Sequence, residues 1–146
     1  MAARILLGTL SAASIASAHF VLLRPKTAGF IDDSQFTAPC GGATVTVNSS
    51  SPQTQVDRFA INIDSTHPAG MWEIRATTDT QEPYNFTTVM PTINTVGAGT
   101  FCLPSISVPE SFAGKAGILQ IQVKSVDGNL YQVGRPSSDR PRPMGL

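Results

Sequence analysis

Short runs in which apolar and polar residues alternate predict an all-β fold for this chain, and three observations support that class. After residue 18 the apolar residues follow a two-residue period rather than a helical one. Glycine, proline and asparagine interrupt the runs at short intervals. The 146 residues have the length of one domain. We therefore predict one antiparallel β-sandwich of the immunoglobulin/fibronectin-like type.

The composition describes a globular protein with few surface charges. Apolar residues make up 41% of the chain and charged residues 14%, and ten basic side chains balance ten acidic ones. No basic stripe or basic–aromatic interleaving is present, so we expect no nucleic-acid partner.

The first element along the chain is a predicted secretory signal peptide over Met1–Ala18. Arg4 supplies a positive start, residues 5–16 are mostly apolar, and Ala16-Ser17-Ala18 fits an A-x-A cleavage site. The apolar stretch is too short to span a bilayer and lacks a stop-transfer flank. We expect cleavage after Ala18, a secreted protein and a mature chain that begins with His19.

Secretion changes how the cysteines and the glycosylation sequons are interpreted. Cys40 and Cys102 would lie in an oxidising compartment, where they pair with each other or where one or both stay free. The residues alone leave these outcomes open. Asn48, followed by Ser49-Ser50, and Asn85, followed by Phe86-Thr87, are predicted N-glycan acceptors.

Five strand-like runs follow, each ended by turn residues. They comprise residues 44–47, 59–63, 71–77, 85–90 and 117–124, and a tight turn near 127–129 leads into a sixth run at 130–132. In the third run Trp72 and Ile74 share a face, so we expect Trp72 in the core. Residues 110–117 are the one segment that suggests a short helical turn.

The segment 133–146 (VGRPSSDRPRPMGL) departs from this pattern. Its three prolines lack the amide donors that a strand needs, and three arginines accompany them. We therefore set the folded domain at residues 19–132 and predict a Pro/Arg-rich disordered tail over 133–146. A second interpretation is a tail translated from a retained intron, because a valine codon begins with the GT of an intron donor.

The two histidines of the chain, His19 and His67, form the candidate metal site. After cleavage, the α-amino group and Nδ1 of His19 can close a six-membered chelate ring, and their covalent link keeps the entropy loss small. Reference pKa values of about 8 for the amine and about 6.5 for the imidazole make deprotonation easy near neutral pH. Such nitrogen donors favour Cu²⁺. His67, in a turn-rich loop between two strand-like runs, would supply the third nitrogen.

Several short motifs then carry a resemblance to a known family. In chain order they are His19-Phe20, Arg24-Pro25, Gly29-Phe30, Pro39-Cys40-Gly41-Gly42, Phe101-Cys102-Leu103-Pro104 and Leu130-Tyr131-Gln132. Their order and spacing resemble those of the secreted fungal copper acquisition factors. The resemblance implies the fold and the histidine brace of lytic polysaccharide monooxygenases, with His19 and His67 as the copper histidines. It also implies a role in copper uptake at the cell surface, a lipid anchor, and a copper transporter as partner.

The chain departs from the family pattern directly after Gln132. The family has Cys, a small residue and Asp where this chain has Val133, Gly134 and Arg135. The resemblance assigns that Asp to the copper site, and a guanidinium cannot replace it because it has no lone pair to offer. The family's cysteine is missing too, as is a lipid-anchor signal in the chain as written. The remaining acidic candidates are interpreted as solvated turn carboxylates: Asp127, Asp139 and the pair Asp32-Asp33.

Three functions are compatible with these observations. We favour a secreted copper(II)-binding protein that takes part in copper acquisition and is not an enzyme. The alternative, a copper monooxygenase acting on polysaccharide, would present exposed aromatic residues for sugar stacking, whereas this chain has one Trp and two Tyr. The third is a structural or adhesive sandwich without metal. The sequence contains no G-x-S-x-G elbow and no structural zinc motif.

Overall fold

A computed structural model describes residues 18–47 and 58–135, and within them the chain forms eight strands and two 3₁₀ helices. In chain order the strands are β1 (Phe20–Arg24), β2 (Phe59–Ser65), β3 (Ala69–Thr77), β4 (Thr87–Thr88), β5 (Ile93–Val96), β6 (Gly99–Ile106), β7 (Ile118–Ser125) and β8 (Gly128–Gly134). The 3₁₀ helices are Asp32–Ser34 and Glu110–Phe112. In these residues no helix is long and apolar enough to cross a membrane.

The strands form two antiparallel sheets. One has three strands in the order β1-β2-β6, and the other has five, in which β4-β3-β7-β8 are neighbours and β5 also pairs with β3. The predicted all-β class with antiparallel sheets is confirmed. The immunoglobulin/fibronectin-like type stays a prediction.

The main core joins the two sheets because each sheet turns an apolar face inward. Ile61 and Ile63 of β2 and Ile74 of β3 are fully buried in one cluster. Trp72 lies in the same cluster, as predicted, with its ring 5.2 Å from Phe20, edge to face. Its indole N–H donates to Thr95 Oγ1 at 2.8 Å, so this buried polar atom is satisfied.

A second apolar cluster covers the outer face of the five-stranded sheet. Cys40, Ile118 and Val133 are its buried members, and Val45 and Val47 pack against it. Gln120 on this face donates from Nε2 to the Pro39 carbonyl at 2.7 Å. The segment after β1 therefore lies over the sheet, which explains why both faces of β7 are buried.

Four predicted runs match strands, with bounds that differ by a few residues: those assigned to β2, β3, β7 and β8. Residues 44–47 do not form a strand; they alternate because Val45 and Val47 contact the second cluster. The run at 85–90 contains only the two-residue β4. The predicted helical turn contains the 3₁₀ helix Glu110–Phe112. β1, β5 and β6 were not predicted.

The last strand continues past the expected domain boundary at 132. β8 includes Val133 and Gly134, and Gly134 also forms a bridge with Thr27. Val133 is fully buried, because its side chain fills the second cluster. Residues 136–146 of the expected tail lie outside the described residues, as do Asp139 and the predicted signal peptide up to residue 17.

The disulfide between Cys40 and Cys102 is not formed. Cys40 is buried in the second cluster, whereas Cys102 is exposed on β6 of the other sheet, so the two free thiols face different surroundings. Burial raises the pKa of the Cys40 thiol to about 11, and the negative charge of Glu82 contributes a smaller part.

One of the two sequon asparagines can be placed. Asn85 is exposed, and its backbone N–H and side-chain amide donate to Asp79 Oδ2 at 2.6 and 3.2 Å. Asn48 lies outside the described residues.

Candidate metal centre

The antiparallel pairing of β1 with β2 brings the two histidines to one end of the three-stranded sheet. Phe20 is the register partner of Ser65, so the residue before β1 lies opposite the residue after β2. The Thr66 N–H donates to the His19 carbonyl at 2.9 Å, and the His19 N–H donates to Thr66 Oγ1 at 2.9 Å. His67 follows at once in the short connection to β3.

Two buried glutamines hold the start of β1 in place from its other side. Gln35, fully buried, donates from Nε2 to the Phe20 carbonyl at 2.7 Å and accepts from the Phe20 N–H at 3.4 Å. Gln132 of β8 also donates to the Phe20 carbonyl, and its Oε1 accepts from the Leu22 N–H at 3.0 Å. These side chains take the place of a neighbouring strand, so they fix the main chain next to His19.

His67 is a buried imidazole without a hydrogen-bond partner. Its side chain is 1% exposed, and neither Nδ1 nor Nε2 has a partner in the structure. Burial lowers the pKa of His67; the carboxylate of Asp127 opposes this shift, and the charge of His19 adds to it. The ring is therefore held neutral, with a nitrogen lone pair available.

Each histidine faces a carboxylate through its Nδ1 atom. Asp32 Oδ1, at the start of the first 3₁₀ helix, lies 3.5 Å from His19 Nδ1. Asp127 Oδ2, in the turn between β7 and β8, lies 3.6 Å from His67 Nδ1. Both aspartates were interpreted from the sequence as solvated turn residues. Their positions depend on tertiary contacts between segments far apart in the chain, which no local spacing reveals.

Position 135 does not meet the histidines. β8 spans Gly128–Gly134, about 20 Å at the usual rise of a strand, so Arg135 and Asp127 lie at opposite ends of it. Gly134 lies against Leu22 and Pro25, well along the chain from His19, and Arg135 donates to the Thr46 carbonyl at 3.2 Å. Arg135 thus contacts the segment that lies over the outer face of the five-stranded sheet.

The aromatic side chains exposed near the two histidines are phenylalanines, whereas the tryptophan and the tyrosines are buried or half-buried. Phe30 is 41% exposed, and its ring centroid lies 5.7 Å from that of His19. Phe36, also exposed, lies beside Gly128. Trp72 is fully buried, and both tyrosines are half-buried. No exposed Trp or Tyr is therefore present to stack on a sugar ring.

The donor atoms near His19 and His67 fit a copper ion, although they do not include three converging side-chain ligands. In residues 18–47 and 58–135, no three side chains of His, Cys, Asp or Glu converge on one point. After cleavage His19 would carry a terminal amine, which adds a further nitrogen donor at this end. A buried imidazole with both nitrogens unpaired is unusual, because nearly all buried polar groups are bonded. A bound metal ion is one physical reason for such an atom.

Comparison with known proteins adds independent findings. The family model of copper acquisition factors of the BIM1-like type matches residues 17–132. A lytic polysaccharide monooxygenase-like protein, X325, of Yarrowia lipolytica is 29% identical over 128 residues, covering 80% of this chain and 47% of its own. An uncharacterized protein of Aspergillus fumigatus is 30% identical over 106 residues, covering 72% and 44%. The chain thus spans less than half the length of these curated relatives.

Proposed function

The chain belongs to the BIM1-like copper acquisition factor family, and on that basis we propose that it captures copper(II) through His19 and His67. The unpaired, buried imidazole of His67 beside His19 is the observation that carries this proposal. Filling the coordination of such an atom with a metal ion removes the penalty of leaving it unbonded.

The chelate requires removal of residues 1–18. The α-amine and Nδ1 of His19 would then bind one ion, and His67 would add a third nitrogen, a set that favours Cu²⁺ over other common divalent ions. Thr66 accepts from the His19 nitrogen at 2.9 Å and so holds it toward the loop that carries His67. Asp32 faces the same Nδ1 atom and is the carboxylate that we propose as an oxygen ligand.

We also propose the setting of this activity. The predicted signal peptide implies secretion, and an acquisition factor must release its cargo to a cell-surface copper transporter. Exposed Asn85 is a proposed glycosylation site.

A polysaccharide-oxidising copper enzyme is the second candidate, and the printed name of the Yarrowia relative favours it. Against it stands the lack of an exposed Trp or Tyr. We therefore propose binding and transfer rather than catalysis. Copper-loaded protein incubated with chitin or cellulose plus ascorbate should release no oxidised oligosaccharides, and their appearance would reverse the choice.

Electron paramagnetic resonance of the Cu²⁺-loaded mature protein tests the binding proposal. The spectrum should show about three equatorial nitrogens, and His67→Ala should remove one. A matched protein with one extra residue ahead of His19 should lose the chelate while its circular dichroism spectrum stays unchanged. Equal spectra for the extended and the mature protein would show that the terminal amine does not bind the ion.

A further inference from the structure

We propose that the free edge of β6 pairs with the same edge of a second copy of the chain, so that their three-stranded sheets join across a twofold axis. The inference concerns a sheet edge and not the histidines, and it does not depend on the proposed copper function. Three observations carry it: the direction of the backbone groups of β6, the uncharged sequence around them, and the half-buried ring of Phe101.

The register of the three-stranded sheet shows which backbone groups of β6 face outward. The Phe20 N–H is bonded to a buried glutamine and therefore faces away from β2. Its register partner Ser65 consequently directs its N–H and C=O groups to the other neighbour, β6, where it lies opposite Gly99. Because these directions alternate along a strand, the N–H and C=O groups of Thr100 and Cys102 face away from β2.

These outward groups have no neighbouring strand in the part of the chain that the structure describes. β6 is the last strand of its sheet, and both Thr100 and Cys102 are exposed. The opposite edge of the sheet is different, because the outward N–H groups of Phe20 and Leu22 on β1 are bonded to buried glutamine side chains. An exposed edge with unpaired N–H and C=O groups is a template for pairing with another chain.

The sequence around β6 favours a second copy as the occupant of this edge. Charged residues, Lys above all, commonly protect natural edge strands from pairing. Residues 83–109 contain no Asp, Glu, Lys or Arg, and Pro104 is the one proline of β6. Two copies of the strand can therefore approach without repulsion between like charges, whereas a charged peptide would gain no ion pair from it.

The outward groups select one register for the pair. With the twofold axis at Phe101, Thr100 pairs with Cys102 of the second copy and Cys102 with its Thr100, so all outward groups of both residues are bonded. An axis at Cys102 would place Thr100 opposite Pro104, which has no N–H to donate. The Phe101 ring lies 5.1 Å from that of Trp72 and is half-buried, and in the favoured register it meets its copy across the axis. So short an interface predicts a weak, reversible dimer.

Analytical ultracentrifugation of the metal-free mature protein in a reducing buffer tests the pairing. The wild type should show a reversible monomer–dimer equilibrium, and Cys102→Ser should retain it, because the main chain and not the thiol makes the contact. Cys102→Pro removes one outward N–H from each copy and should raise the dissociation constant by about tenfold. Cys102→Lys, which sets two positive charges near the axis, should raise it by about threefold.

Leu23→Lys is the matched control, because it adds the same charge at an exposed position of β1, at the opposite edge of the sheet. It should leave the dissociation constant unchanged, and circular dichroism should show that all variants fold. A wild type that stays monomeric up to its solubility limit overturns the proposal. So does a dimer that Cys102→Pro and Cys102→Lys leave unchanged.

Amide hydrogen exchange supplies a second readout that is resolved by residue. Raising the protein concentration should slow exchange at the N–H groups of Thr100 and Cys102, whereas that of Phe101, which faces β2, should change little. Protection confined to other surface amides would assign the dimer to another face and overturn the proposal. The paired strands run in opposite directions, so the two histidine ends point away from each other and Cu²⁺ should not alter dimer formation. Failure to bind Cu²⁺ would refute the proposed function and leave this dimer unaffected.

Discussion

The two ends of β8 lie next to different kinds of side chain. At the Gly128 end, Asp127 lies beside the buried His67. At the Gly134 end, Val133 fills an apolar cluster with Cys40, and Arg135 contacts the main chain of Thr46. The residues at which the sequence departs from the pattern expected from the resemblance, Val133, Gly134 and Arg135, lie at the second end. This departure therefore changes how a covering segment packs on the sheet and leaves the nitrogen and carboxylate atoms near the histidines in place.

The largest effect on the histidine end should come from Gln35→Ala. The substitution leaves the Phe20 N–H without its buried acceptor and removes one donor from the Phe20 carbonyl, a loss of about 2–3 kcal/mol in the free energy of unfolding. Urea denaturation should show this loss, and the Cu²⁺ spectrum should also change because His19 is the preceding residue. Gln120→Ala is the control: it breaks one bond on the outer face and should lower stability without a spectral change. An unaltered Cu²⁺ spectrum in Gln35→Ala would contradict the role of Gln35 in fixing the main chain next to His19.

At the other end, Val133→Ala should cost about 2 kcal/mol of stability, because two buried methyl groups are lost and a cavity remains. Copper affinity, measured by isothermal titration calorimetry, should match that of the wild type. A change in affinity would mean that the two ends are coupled through β8.

The sequence predicted the histidine pair but not its surroundings. His19 could be identified because a cleavage signature precedes it, and Trp72 because the alternation of β3 is local. Gln35, Asp32 and Asp127 could not be identified, since their roles arise from contacts between distant segments.

The strands, too, could be predicted where the sequence alternates locally and were missed where their pairing depends on distant segments. β2, β3 and β7 alternate clearly, whereas β1 has consecutive apolar residues and β6 contains a proline on a sheet edge. Residues 44–47 alternate between apolar and polar side chains but do not pair with another strand. Such alternation shows that one side of a segment is buried, and it does not show that the backbone is hydrogen-bonded to a neighbour.

Acid should destabilise the histidine end specifically. The pKa of His67 is lowered in the folded, metal-free protein, so the unfolded chain takes up a proton first as the pH falls below about 6.5. The free energy of unfolding should then decrease by at most about 1.4 kcal/mol per pH unit, until the pH passes the folded-state pKa. Denaturation curves from pH 8 to 5 should show this slope, and His67→Gln should remove it. An identical slope in His67→Gln would assign the acid sensitivity to other groups.

The smallest effect is expected for Arg135→Asp, which introduces at the Gly134 end of β8 the residue type that the resemblance implies there. Loss of one exposed hydrogen bond to Thr46 should change stability by about 0.5 kcal/mol or less. The Cu²⁺ spectrum should not change. A new oxygen ligand in the spectrum of this variant would show that position 135 reaches the metal and would remove the distinction between the two ends.

The unequal exposure of the two thiols makes the natural chain its own reporter. Cys40 is protonated and shielded at neutral pH, whereas Cys102 points outward from β6. A nitroxide reagent should therefore attach at one position without any engineered cysteine. Pulsed dipolar spectroscopy between that label and bound Cu²⁺ would give the distance from Cys102 to the ion, and loss of the dipolar signal would report transfer of the ion to an acceptor.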